Sequence, residues 1–327
     1  MQGTVPNKTK QFFFALIKLS IVVGACYFIY HKLAHNDNLN FSVFIAFLIK
    51  NDVFLLKTIL FVLFLSIFNW FFEILKWQNL VSSIKKVTFF EAFKQSLAAH
   101  TASLFTPNRI GEYGAKAIYF TKHLRKRVLL LNLIGNMSQM STTLLFGVIG
   151  FPLFIYKYDI DISPIKLFYL ITLTALIIVF IIFFFKQKKF QIKGFSIQDI
   201  KTYVLKISSK IHFKNVLFSV IRYLIFSFQF YYLLHLFDVN ASYFNAMIVI
   251  TTMYLLSSII PTIFVFDVVV KGSIALYLFS FIGVNDLTIL SIVTLMWILN
   301  FVLPSVFGGF YVLNFDYYKT IDSDNID

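Results

Sequence analysis

This chain has little charge and very little acid. Charged residues make up 13% of it, and 29 basic side chains face only 15 acidic ones. A soluble domain is about one quarter charged, so one water-soluble core is excluded. Cysteine is limited to Cys26, which rules out disulfides within the chain and cysteine-based metal sites. Proline numbers six and glycine 12, so neither a Pro-rich linker nor a Gly-rich low-complexity segment is present. No Walker loop, H-E-x-x-H or G-x-S-x-G pattern occurs. The residues therefore imply no cofactor and no use of ATP.

What fills the chain is apolar. Hydrophobic residues reach 59% and aromatic residues 19%, with 43 phenylalanines and 17 tyrosines. Mean hydropathy is +0.80. The composition predicts an all-α, polytopic helical bundle in a membrane, where lipid-facing surfaces are as apolar as buried ones. The net charge of +14 sits in loops between apolar runs. That placement fits the positive-inside rule and not nucleic-acid binding.

The runs predict helices over about Phe12–Tyr30, Val53–Leu75, Val128–Tyr156, Ile165–Phe185, Val216–Phe237 and Leu287–Leu313. The first is read as a retained helix, because no A-x-A-like cleavage site follows it. Two further apolar runs, about Phe244–Ile260 and Val268–Ile282, flank Pro261 and Asp267. The stretch Phe89–Phe120 differs. It carries Glu91, Lys94, Gln95, His100, Arg109, Glu112 and Lys116, and each half is too short or too polar to span lipid alone. A hairpin that enters the membrane and turns back at Thr106-Pro107-Asn108 is the expected solution.

The loops Lys76–Lys94, Lys122–Arg127 and Lys186–Lys214 are basic, whereas His31–Asp52, Lys157–Ser163 and Asp238–Ser242 are not. Placing the basic loops in the cytoplasm puts both termini there. It also demands an even number of crossings in Phe89–Phe120 and again in Phe244–Ile282, as a re-entrant pair or two full spans. The Ile192–Phe213 part of the Lys186–Lys214 loop reads as a surface helix.

The two turns echo one another. Pro107 is followed by Glu112 and Lys116, and Pro261 by Asp267 and Lys271. In both, the lysine lies four residues after the acid, on the same helix face. Two hairpins of opposite orientation suggest an inverted repeat, with halves at about 12–156 and 165–315, within a single transmembrane domain spanning 1–327.

The stretch Thr106-Pro107-Asn108-Arg109-Ile110-Gly111-Glu112 resembles the P-x-R-x-G-E signature of the lysylphosphatidylglycerol synthase transmembrane-region family. Lys76-Trp77-Gln78-Asn79-Leu80 is similar to that family's basic-tryptophan step. Pro261, Gly283-Val284 and Pro304-Ser305-Val306-Phe307-Gly308-Gly309 fall where the family has proline and glycine turns. The resemblance covers about residues 12–315. It implies a flippase-like membrane domain, without the soluble aminoacyl-transferase domain of the full synthase, in a bacterial cytoplasmic membrane. The chain departs from the family at two places. A glycine-rich P-x-x-G-G-x-G-x-x-E element is replaced by Pro261–Asp267, with Lys271 near the expected glutamate. A charged step in the third helix is replaced by neutral Asn136 and Gln139.

The expected function is binding or translocation of a phospholipid or polyprenyl-phosphate-linked lipid. The alternatives are a membrane-embedded head-group transferase, with Glu112 or Asp267 as general base, and a non-transporting membrane partner. Partners are then membrane lipids with an anionic or polyprenyl-phosphate head group. Oligomeric state, transport direction and energy coupling stay open. Substrate contact is assigned to Arg109, Glu112, Lys116, Asp267 and Lys271, and hinge roles to Pro107, Gly111 and Pro261. Arg109 has the planar fork that grips a phosphate. The competing reading is a static Arg–Glu–Lys network that holds the hairpins together. Glu73 is read as an interfacial residue with Lys76 snorkelling beside it. His100 is read as a hydrogen-bonded packing residue. Arg222 and Gln229 share one face of their helix.

Overall fold

A computed structural model describes residues 46, 48–104, 106, 109–160, 191–192, 195–260 and 264–315. The helices expected at Phe12–Tyr30 and Ile165–Phe185, both chain termini, and Pro107 and Pro261 lie outside the described residues.

The described chain is helical apart from one two-residue strand pair. Helix α1 spans Leu56–Val81, α2 Phe89–Ala102, α3 Ile110–Ala117 and α4 Lys122–Lys157. A small hairpin of β1 (Gln191–Ile192) and β2 (Phe195–Ser196) follows, antiparallel, with Gln191 opposite Ser196. Then come α5 (Ile197–Lys206), α6 (Ser209–Leu236), α7 (Tyr243–Ile259), α8 (Phe264–Ser280), α9 (Asp286–Trp297), a π-helical turn (Ile298–Val302) and α10 (Leu303–Leu313). The surface helix read over Ile192–Phe213 is thus divided. Its start is the strand pair, its middle is α5, and its end already belongs to α6.

Four helices are long and apolar enough to cross a membrane: α1, α4, α6 and the continuous run Asp286–Leu313. They present apolar side chains outward, as Ile67 on α1 and Val148 on α4 show, each more than half exposed. The short elements do something else. Helices α2 and α3, of 14 and 8 residues, reach about 21 and 12 Å, well below the roughly 30 Å of a hydrocarbon core. Thr88 caps α2 through a capping box with Glu91, and the chain reverses before α3.

The two short pairs enter from opposite ends of the bundle. At the basic end, Trp77, Leu80, Ala117, Phe120 and Val128 form one apolar cluster, which closes the base of the α2–α3 pair. Tyr119 stacks near Phe315 there, so α10 finishes at that end too. At the other end, Leu48, Val53, Phe237 and Val284 belong to a second cluster. Phe281, just past α8, packs on Phe154 and Tyr158 of the α4 terminus. The chain turns at this end through Asp52, Asp159, Asp238 and Gly283, all with positive φ, a conformation in which Asp and Gly are the tolerated residues.

Small residues let these helices approach. A Cβ on Gly150 would lie 1.9 Å from Thr251 Oγ1, and one on Gly147 2.4 Å from the Leu255 Cβ. These contacts set α7 antiparallel along α4. A Cβ on Gly308 would lie 2.2 Å from the Leu97 carbonyl oxygen, which seats α10 against α2. Thr101 Oγ1 then donates to the Ser305 carbonyl at 2.8 Å. The last helix therefore shields the backbone of the short α2.

Candidate functional site

Described residues beside the tips of the two pairs face one another near mid-depth. Between them lies a cavity of about 380 Å³, within the usual range of ligand pockets. Arg109 and His100 come from the first pair, Ser257, Ser258 and Lys271 from the second. Asn69 and Glu73 of α1, Gln139 of α4 and Arg222 of α6 complete the polar wall. The opposite wall is apolar and aromatic, with Phe226, Phe230, Tyr254 and Trp297 among its residues. Gln139 stands near the middle of the 36-residue α4, which fixes the depth of the cavity.

Arg109 is the N-cap of α3 and has φ 58°, an αL conformation. This is unusual for a non-glycine residue and costs on the order of 1–3 kcal/mol. Its surroundings hold it there. Thr106 Oγ1 accepts from the Gly111 amide at 2.8 Å, and a Cβ on Gly111 would meet the Ala102 carbonyl oxygen at 2.8 Å. The absent side chain of Gly111 is thus used against the end of α2. One guanidinium nitrogen, Nη2, lies 3.0 Å from Glu112 Oε2 and 3.2 Å from His100 Nδ1.

Arginine only donates. His100 Nδ1 must therefore accept, which leaves the ring neutral with its proton on Nε2. That nitrogen faces the Phe301 carbonyl at 3.4 Å. His100 is a packing residue with hydrogen bonds, as expected, and it also orients Arg109. Nε of Arg109 is buried and makes no hydrogen bond.

Glu112 and Lys116 stand behind Arg109 and are not among the cavity-lining residues. Lys116 Nζ donates to Glu112 Oε1 at 2.7 Å and to Asn132 Oδ1 at 2.8 Å. It also lies 4.4 Å from the Trp77 ring centroid. Trp77 in turn donates to Gln95 Oε1 at 2.7 Å. Of the five assigned contact residues, the structure thus brings Arg109 and Lys271 to the cavity wall. It puts Glu112 and Lys116 one layer deeper. The Asp267 side chain lies outside the described residues, although its backbone belongs to α8.

Glu73 was expected at the interface and Lys76 in water. Both are buried, and Lys76 is 2% exposed. Glu73 Oε2 pairs with Lys76 Nζ at 2.7 Å and also with Arg222 Nη1. The reason is the crossing of α6 over α1, which brings the guanidinium to the carboxylate from a part of the chain about 150 residues away. Arg222 also donates to Asn69 Oδ1 at 2.9 Å and to Gln139 Oε1 at 3.0 Å.

Gln229, one face further along α6, donates to Ser66 Oγ and accepts from Asn300. Asn300 sits in the π-helical turn. Pro304 has no N–H for the Asn300 carbonyl four residues back, and Trp70 Nε1 donates to that carbonyl at 3.1 Å. A π turn beside a cavity is a recurrent feature of functional sites. Asn136 joins α4 to α3 by donating to the Tyr113 hydroxyl.

Sequence reading overlooked Glu73 and Arg222 as a joined pair. The available signal was a charge of each sign inside two separate apolar runs.

No curated protein and no solved structure matches this chain. Residues 15–308 match the family described as "Lysylphosphatidylglycerol synthase TM region". That span takes in α1, α4 and α6, most of the run Asp286–Leu313, both short pairs and every described residue of the cavity, and the chain therefore belongs to the lysylphosphatidylglycerol synthase transmembrane-region family.

Proposed function

We propose that this protein binds a membrane lipid and carries its head group past the tips of the two hairpins. The observation that carries this reading is the cavity itself. It lies at mid-depth, polar and cationic on one side and aromatic on the other. Such a site can take a phosphate-bearing head group while the acyl chains stay in surrounding lipid. Arg109 supplies a phosphate grip, and the network behind it holds the guanidinium in place. No covalent step is required. A cavity formed by hairpins from opposite faces also suits alternating access between two halves, about 12–156 and 165–315, of a single transmembrane unit. The basic end would face the cytoplasm of a bacterial cell, with both termini on that side.

A transferase would use Glu112 or Asp267 as a base. Glu112 is held by Arg109 and Lys116, an arrangement that keeps a carboxylate charged and suits a fixed anchor better than a proton acceptor. The test is reconstitution into liposomes with fluorescent lipids. The protein is expected to accelerate loss of labelled lipid from one leaflet, and Arg109→Ala to abolish the acceleration. Folded protein that accelerates no anionic, aminoacylated or polyprenyl lipid would end the transport reading.

A further inference from the structure

Among the described residues, the charges on and behind the cavity wall do not balance. Lys76, Arg109, Lys116 and Arg222 are four cations, and Glu73 and Glu112 are two carboxylates. Each carboxylate is shared by two cations. Among the described residues, two positive charges are therefore in excess around the cavity. Asp267 and Lys271 carry opposite charges and leave that sum unchanged. Of the remaining described acids, Asp52, Asp159, Asp238 and Asp286 sit at the end opposite the basic loops, Glu91 is held in the cap at the start of α2, and Asp199 belongs to α5 in a basic loop. His100 is neutral on the geometry above.

An uncompensated charge in a low-dielectric interior is costly. Two such charges, with Arg109 and Arg222 both on the wall of one cavity and Arg109 Nε left without a hydrogen bond, select their own counter-ion. We infer that the cavity takes a lipid head group with a doubly charged phosphate, a phosphomonoester or a diphosphate, in preference to a singly charged phosphodiester or a zwitterion. This rests on the lipid-binding reading and narrows it to a substrate class. A phosphomonoester carries a charge of about −1.5 to −2 near pH 7, and two guanidinium groups can meet it with parallel N–H donors. A phosphodiester would leave one positive charge at the cavity unmatched. The apolar wall, with Phe226, Phe230 and Trp297, gives the first carbons of the lipid a place that free phosphate cannot use.

The experiment titrates the full-length protein in nanodiscs with three lipids of matched acyl chains: phosphatidic acid, phosphatidylglycerol and phosphatidylcholine. Inorganic phosphate forms a fourth arm. Tryptophan emission is the readout, because Trp70 and Trp297 line the cavity. Phosphatidic acid is expected to bind at least about tenfold more tightly than phosphatidylglycerol, phosphatidylcholine more weakly still, and inorganic phosphate far more weakly than phosphatidic acid. Arg222→Gln is expected to shrink the preference between the two anionic lipids to about twofold or less, whereas Arg222→Lys keeps it. Phosphatidylglycerol binding as tightly as phosphatidic acid would overturn the inference and leave lipid binding standing. Inorganic phosphate matching phosphatidic acid would overturn the lipid part of it. Folded protein that binds none of the lipids would remove both this inference and the proposed function. If Arg222→Gln does not fold, the wild-type lipid series and Arg222→Lys still decide.

Discussion

Arg222 on α6 and Glu73 on α1 form an ion pair that ties the two most closely packed spanning helices together beside the cavity. Glu73 holds a second cation, Lys76, while Arg222 has neutral partners in Asn69 and Gln139. The two residues are therefore not equivalent in what their loss would leave behind.

Glu73→Gln removes a carboxylate from a site already rich in positive charge and strands two cations. It is expected to destabilise the protein by about 3–5 kcal/mol. Arg222→Gln leaves Glu73 paired with Lys76 and lowers the charge excess, so its cost should be clearly smaller. Unfolding in detergent measures both, and equal losses would refute the asymmetry.

Arg109→Lys keeps the charge but loses the planar fork that reaches Glu112 and His100 together. Lipid scrambling is expected to fall by about tenfold or more, with the unfolding temperature near that of the wild type. Unchanged scrambling in liposomes would show that a point charge at this position suffices.

Gly308→Ala places a methyl group 2.2 Å from both the Leu97 carbonyl oxygen and Thr101 Oγ1. The backbone carbonyl cannot yield, so α10 must shift away from α2, at a cost of about 1–3 kcal/mol. Gly114→Ala is the contrast, since nothing lies within 4 Å of its Cβ position. It should be neutral or stabilise α3 by up to about 1 kcal/mol. Thermal unfolding of the two variants should separate them by sign.

Thr88→Ala breaks the capping box of α2 and should cost about 1 kcal/mol. The Glu91 carboxyl is held below its usual range, first by the hydrogen bond from the Thr88 amide and then by that from its hydroxyl. A carboxyl with a lowered folded-state pKa adds stability that is present above its unfolded pKa and is lost as pH falls through the lowered one. The difference between wild type and Thr88→Ala should therefore be full at neutral pH and shrink in acid. A difference that grows on acidification would contradict this.

Much of the architecture was legible as sequence because a bilayer restricts the choices. Long apolar runs must be helices, and a segment such as Phe89–Phe120 cannot cross as one. The start of α4 moved outward, because Lys122–Arg127 continues the helix beyond the apolar run. The candidate site was legible at Arg109, where a charge stands beside turn residues. It was not legible at Glu73 and Lys76, since a charge near a helix end reads as interfacial until another helix is known to cross it. Lys116 illustrates the reverse case. Its charge looked available for substrate, yet Glu112, Asn132 and the Trp77 ring enclose it.

The sequence by itself determined the solvent, most of the described helices, the break within Phe89–Phe120 and the family, because each follows from local composition and spacing. Only the tertiary structure decided which charges share a carboxylate and which face an open cavity. Those relations depend on α1 meeting α6 and on both short pairs lining one cavity. Local patterns do not encode contacts between residues so far apart in the chain, and the charge imbalance around the cavity exists only once the helices have packed.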